Sequence, residues 1–210
     1  MPKVTEEHLE ARRRQIVDAA LTCFARQGFE RTSVLDICGA AELSPGAVYR
    51  YFPSKEDIIA AVCEKGVEVD ETLFGSVADL ELREALLRLI EVGMGELGKP
   101  EAEASVRLRV ELWAEGTRND RVREIMAEVT DRYRLWLRDM IRVGQERGEV
   151  DPGVDADGIA RVLVGIYQGL VRERALDRGA DVSAYVAAVK AIVGGNVWTE
   201  QGTRKERAHA

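Results

Sequence analysis

The chain has 210 residues, 46% of them apolar and 32% charged, enough for a small module attached to a larger core. A net charge of −7 argues against a basic coat for indiscriminate nucleic-acid binding. No apolar run reaches the roughly eighteen residues that span a bilayer, and the opening MPKVTEEHLEARRRQ is no signal peptide, so a cytoplasmic protein without a membrane partner is expected.

A first helix is predicted over 7–27, with Ile16, Ala20, Cys23 and Phe24 inward and Gly28 just past its end. Two short helices follow in TSVLDICGAAELSPGAVYRYFPSK, residues 32–55. Thr32 and Ser33 cap the first, whose Val34, Ile37, Cys38 and Ala41 recur at helical spacing. Ser44 caps the second, and Pro45 takes its first position, where a missing N–H costs nothing. Helices this short bury no core alone and must lean on neighbours. The form that uses such a pair is the helix-turn-helix, whose second helix enters the DNA major groove.

Ser54 and Asp57 open a linking helix over 54–74, with Ile58, Ile59, Val62, Val69 and Leu73 inward. A break at Gly75 and Ser76 divides a DNA-binding domain, 1–55, from a body, 76–198. Further helices are expected over 80–97, 102–115, 119–147 and 155–177, and a last one opened by Ser183 or Asp181 and ended by Gly194. The polar tail 199–210 is expected to be disordered. With no strand alternation and no repeat, the fold class is all-α, with about nine helices.

Charge is unevenly spread. Residues 1–55 hold eight Lys/Arg against seven Asp/Glu, a balance of +1, which leaves −8 for the rest. Phosphate contacts are local, so an acidic body is compatible with a DNA-binding head. In the second short helix Ser44, Pro45, Gly46 and Ala47 are small enough for close approach to base edges. Arg50, a turn further, can reach a guanine through two parallel N–H bonds, or serve as a phosphate contact or a solvated arginine. Free N–H groups near Thr32 and Ser33 suit a phosphate.

The run 13–55 resembles the N-terminal DNA-binding domain of TetR-family transcriptional regulators. The likeness rests on RRQIVDAALTCFARQGFERTSV and on LSPGAVYRYFPSKEDI, where a Tyr-x-x-Phe-x-x-Lys pattern falls on Tyr49, Phe52 and Lys55. One position departs from it: Glu42 stands in the turn where the family usually carries Gly. The resemblance implies phosphate contacts from Tyr49, Tyr51 and Lys55, with Phe52 as a core residue. It also implies a ligand cavity among helices five to eight, and a homodimer formed through helices eight and nine. Residues 107–150 loosely resemble the regulatory half of BetI-like members.

The body's composition agrees. Ile159, Val162, Leu163, Ile166 and Leu170, with Tyr185, Val189 and Ile192, offer more apolar surface than one chain readily hides. Met94, Trp113, Met126, Tyr133, Trp136, Met140, Tyr167 and Gln168 are the groups available to line a pocket, and equally to fill a helical core. The expected partners are a double-stranded operator, a small-molecule effector and a second copy of the chain. No cofactor is expected. An enzyme would need a convergent set of acid, base or nucleophile, and the histidines are only His8 and His209. A thiol-responsive regulator using Cys23, Cys38 or Cys63 is the alternative; their spacing suggests neither a disulfide framework nor a zinc site.

Overall fold

The computed structural model describes residues 6–195; the expected tail 199–210 lies outside them. The described residues form α1 (Glu6–Gln27), α2 (Val34–Ala40), α3 (Pro45–Tyr51), α4 (Lys55–Gly75), α5 (Leu82–Leu89), α6 (Ala102–Glu115), α7 (Asp120–Glu146), α8 (Ala156–Leu176) and α9 (Val182–Val193), and no strand. The expected all-α class is what the chain adopts. None of these helices is long and apolar enough to cross a membrane.

Two compact units carry the packing. One runs to Glu71 and takes up Glu103–Tyr133; the other comprises Thr72–Ala102 and the residues from Arg134 onward. The first unit buries Ile16, Ala20, Cys23 and Phe24 of α1 against Ile37, Cys38, Val48, Phe52, Ile58 and Ile59. Leu108 and Leu112 of α6 and Val122 and Ile125 of α7 complete that same core. The packing therefore groups the chain differently from the 1–55 and 76–198 division read in sequence. Three helices of seven to twenty-two residues offer little core of their own, and α6 and α7 extend the one that holds Phe24 and Phe29.

In the second unit, Leu82, Leu137, Ile141, Ala156 and Ala160 form a core, with Phe74, Leu86, Met140 and Leu163 packed on it. Gly144 permits the close approach of α7 to α5, since a Cβ there would lie 2.7 Å from a Leu82 methyl. Helix five, expected over 80–97, is shorter. It gives way to a π-turn at Ile90–Met94 and a 3₁₀ turn at Glu96–Gly98. Gly93 and Gly95 flank Met94 there, and glycine weakens the regular helical ladder. The start of α5 is capped from afar: the Glu149 carboxylate accepts from the Leu82 N–H at 2.5 Å.

The local signals hold. Asp155 caps α8 through the Asp157 N–H at 3.1 Å, and Asp181, rather than Ser183, caps α9 through the Ala184 N–H at 2.9 Å. Gly28 ends α1 at φ +83°, and a Cβ there would meet the Glu111 carboxylate at 2.6 Å. Glycine is needed at that position for both reasons.

Candidate nucleic-acid interface

Helix α2 starts in a full capping box. The Ser33 hydroxyl accepts from the Asp36 N–H at 3.2 Å, and the Asp36 carboxylate accepts from the Ser33 N–H at 2.8 Å. Hydrogen bonds from the Ser33 backbone and hydroxyl hold the Asp36 carboxyl below the usual carboxylate range. The pair is exposed, so the first turn of α2 is both fixed and accessible.

The turn to α3 runs through Ala41, Glu42 and Leu43. Glu42 has φ +54°, alone among the described non-glycine residues in that region. Its N–H donates to the Gly39 carbonyl at 3.2 Å, and the Leu43 N–H donates to Cys38 at 3.0 Å. The tight geometry is thus kept without the usual glycine, at the cost of a strained glutamate. Gln15 of α1 braces this corner by donating to the Ala41 carbonyl at 2.7 Å.

Ser44 caps α3 by accepting from the Ala47 N–H at 3.3 Å, with Pro45 in the first position. A seven-residue helix is held by what it buries: Val48 and Phe52 are 0% and 1% exposed and anchor its inner side. The outer side carries Ser44, Pro45, Gly46, Tyr49 and Arg50, all exposed, with Ala47 and Tyr51 half-buried. Among the described residues, Arg50 meets no carboxylate within 4.0 Å. Its donors face solvent next to small residues, an arrangement suited to base edges.

Two expected contacts are placed otherwise. Thr32 is 1% exposed, and its hydroxyl donates to the Gly28 carbonyl at 2.7 Å, so it locks the α1–α2 corner instead of facing a phosphate. The Lys55 ammonium donates to the Phe29 carbonyl and sits 4.0 Å from the centroid of the Phe29 ring. Burial pulls its pKa down, while Glu56, Glu115, Glu30 and Glu111 oppose the shift. Carbonyl oxygens and an aromatic face offset the unfavourable place of this cation at a helix start.

Sequence reasoning missed what grips this corner from α6. The Glu111 carboxylate accepts from the Phe29 N–H, and Arg107 donates to the Ala25 carbonyl. The same two side chains form an i,i+4 ion pair, at 3.8 Å. Nothing local in the sequence signals these contacts, because they join residues 82 apart.

The eight pocket candidates are divided between the units. Trp113, Met126 and Tyr133 belong to the first, where Met126 packs on the head's core and the Tyr133 hydroxyl pairs with Asp70. Met94, Trp136, Met140, Tyr167 and Gln168 belong to the second. There Met94 is buried and Trp136 lies 4.9 Å from Phe74, centroid to centroid. A cleft of about 720 Å³ between α5 and α9 is lined by Arg83, Leu87, Glu91, Val186 and Lys190 among others, and by none of the eight.

The thiols do not favour redox chemistry. Burial pushes the Cys63 thiol up to about 11 and raises Cys23 and Cys38 as well. Burial disfavours the thiolate at all three, whereas a sensor cysteine needs one.

A capped, outward-facing α3 braced by α1, α2 and α4 defines a helix-turn-helix DNA-binding regulator. Residues 16–62 match the model for bacterial regulatory proteins of the tetR family, and residues 81–196 match the C-terminal model of BetI-type transcriptional repressors. A helix-turn-helix transcriptional repressor of Mycobacterium tuberculosis is 33% identical over 143 residues, 64% of this chain and 71% of that protein. Salmonella enterica GusR superposes with a TM-score of 0.74 at 30% identity, covering 92% of this chain and 97% of that one. A transcriptional regulator from Saccharomonospora viridis, solved with choline, gives 0.72 at 27% identity over 89% of this chain and 97% of that one. The chain belongs to the tetR family of bacterial regulatory proteins and is a DNA-binding transcriptional regulator.

Proposed function

We propose that this regulator represses transcription by binding a pseudopalindromic operator as a homodimer, and that a small molecule held in the body releases it. The exposed row of α3, with Tyr49 49% exposed and Arg50 beside it, carries the DNA half of the reading. Arg50 would read a base, and Tyr49, Tyr51 and Ser33 would contact backbone, while Ser44 to Ala47 let the helix approach closely.

The homodimer reading rests on α8 and α9. Ile159, Val162 and Ile192 are 41%, 58% and 60% exposed, more than large aliphatic side chains ordinarily show together. Leu170 and Val189 are buried within the protomer, and the Tyr185 hydroxyl donates to the Ile166 carbonyl at 2.9 Å. Those positions shape the face from within, and Ile159, Val162 and Ile192 would meet the partner. Two recognition helices must then enter major grooves about 34–36 Å apart, so an effector that favours a different spacing lowers DNA affinity.

A relative of this chain was solved with choline, which supports a small-molecule effector without identifying it. The test is to recover duplexes from a random pool and titrate candidate effectors against the complex. A true effector weakens the complex and binds the DNA-bound protein less tightly than the free protein. Recovery of no preferred duplex would refute the reading.

A further inference from the structure

Ion pairing in the head leaves several cations, and the carboxylates Glu7, Glu10 and Glu42, without an ion-pair partner among the described residues. The head's carboxylates Asp18 and Glu30 are met by cations from later in the chain, Lys65 at 2.5 Å and Arg118 at 3.6 Å. Asp36 is held by Ser33 and by Gln27 at 3.3 Å. No carboxylate lies within 4.0 Å of Arg12, Arg13, Arg14, Arg26, Arg31, Arg50 or Lys55 among the described residues. Arginines of α6 and α7 such as Arg107, Arg123 and Arg132 are, by contrast, in ion pairs.

Two of the head's guanidiniums, both on α1, are held in place. Arg12 donates to the Gln15 side chain at 2.7 Å, and Gln15 in turn holds the Ala41 carbonyl at the end of α2. Arg13 lies 4.7 Å from the centroid of the Phe52 ring, and Phe52 closes the C-terminal end of α3. Stacking orders a guanidinium but consumes none of its five N–H donors. Arg13 is thus pre-positioned at the rim of the recognition helix, exposed, and without a protein anion.

We infer that Arg13 is a DNA backbone-phosphate contact supplied by α1 from outside the helix-turn-helix, with Arg12 extending the same positive edge. This rests on the DNA-binding reading above. The phosphate contact fixes how far the C-terminal end of α3 descends into the groove and carries no base preference. An alternative role, a simple lid over Phe52, makes different predictions.

The experiment measures affinity against salt on a duplex recovered by the wild type, and on single-base variants of it. Arg13→Gln keeps the cover over Phe52 and removes the charge; Arg13→Lys keeps the charge; Arg88→Gln removes one exposed charge of α5. The expected result is a loss for Arg13→Gln that is equal on all duplexes. Its log–log salt slope should shrink by about one per protomer. Arg13→Lys should retain most of the slope and Arg88→Gln all of it, with similar melting temperatures throughout. An unchanged slope for Arg13→Gln overturns the proposal, as does a loss confined to one base pair or an equal loss for Arg88→Gln. Reduced melting that Arg13→Lys restores, with no slope change in either variant, would establish the lid instead. If the wild type recovers no duplex, the DNA reading itself fails and takes this one with it.

Discussion

The Glu111 carboxylate accepts a hydrogen bond of 2.5 Å from the backbone N–H of Phe29, 82 residues earlier in the chain. The carbonyl of the same residue takes the Lys55 ammonium. One residue between α1 and α2 is therefore gripped from α6 through its N–H and from α4 through its carbonyl. Glu111 is about one-third exposed, so the charged hydrogen bond is partly screened. Glu111→Ala should cost about 1–2 kcal/mol in denaturant unfolding. Gly28→Ala should cost about 2 kcal/mol, because it strains φ and drives a methyl into that carboxylate. Wild-type stability for both would show that the corner is not held this way.

Lys55 separates two roles that the motif alone cannot. Its ammonium is already bound to carbonyls inside the head, so Lys55→Met should lower stability by about 1–2 kcal/mol. It should leave the salt slope of DNA binding nearly unchanged. Tyr49→Ala should weaken binding across sequences, and Arg50→Ala should relax preference at one base pair. A slope loss for Lys55→Met at unchanged stability would restore it as a phosphate contact.

Glu42 pays a conformational cost for standing at φ +54°. Glu42→Gly should stabilise the protein by up to about 1 kcal/mol in equilibrium unfolding, since glycine takes this conformation freely. It should also raise DNA affinity modestly, because a negative charge leaves the turn. A destabilised variant would mean that the Glu42 side chain makes a stabilising contact.

The thiols give a test of the redox alternative. The folded Cys63 thiol sits at about 11 against an ordinary 9.0, so the unfolded chain ionises first. Its contribution to stability is intact below pH 9 and is lost as pH rises toward 11. Cys63→Ala should remove that alkaline loss. Alkylation at pH 8 should be slow in the native protein and fast after unfolding; rapid native labelling would favour a sensor.

Much of this fold was legible because its signals are local. Ser33, Ser44 with Pro45, Asp155 and Gly28 each act within four residues, and each terminates or opens a helix where read. What stayed hidden is non-local. Glu149 capping α5, Gln15 bracing Ala41 and Glu111 gripping Phe29 depend on packing that no window of sequence contains. Thr32 and Lys55 resemble surface contacts by spacing, yet the corner at Gly28 and Phe29 draws both inward. The pocket candidates were the least legible, since aromatic and sulfur side chains fill cores and line cavities alike.

Self-association has its own prediction. Val162→Asp places a charge on the exposed face of α8 while leaving the protomer core untouched. Sedimentation at micromolar concentration should show a dimer for the wild type and a monomer for the variant. A wild-type monomer would leave the apolar face of α8 and α9 unexplained.

The sequences recovered from a random duplex pool test the central claim most directly. The account predicts two inverted half-sites whose centres lie about one helical turn, or a small multiple, apart, with Arg50→Ala losing preference at one base pair in each half. Recovery of unordered sequence, or of one half-site bound equally well by Arg50→Ala, would contradict it.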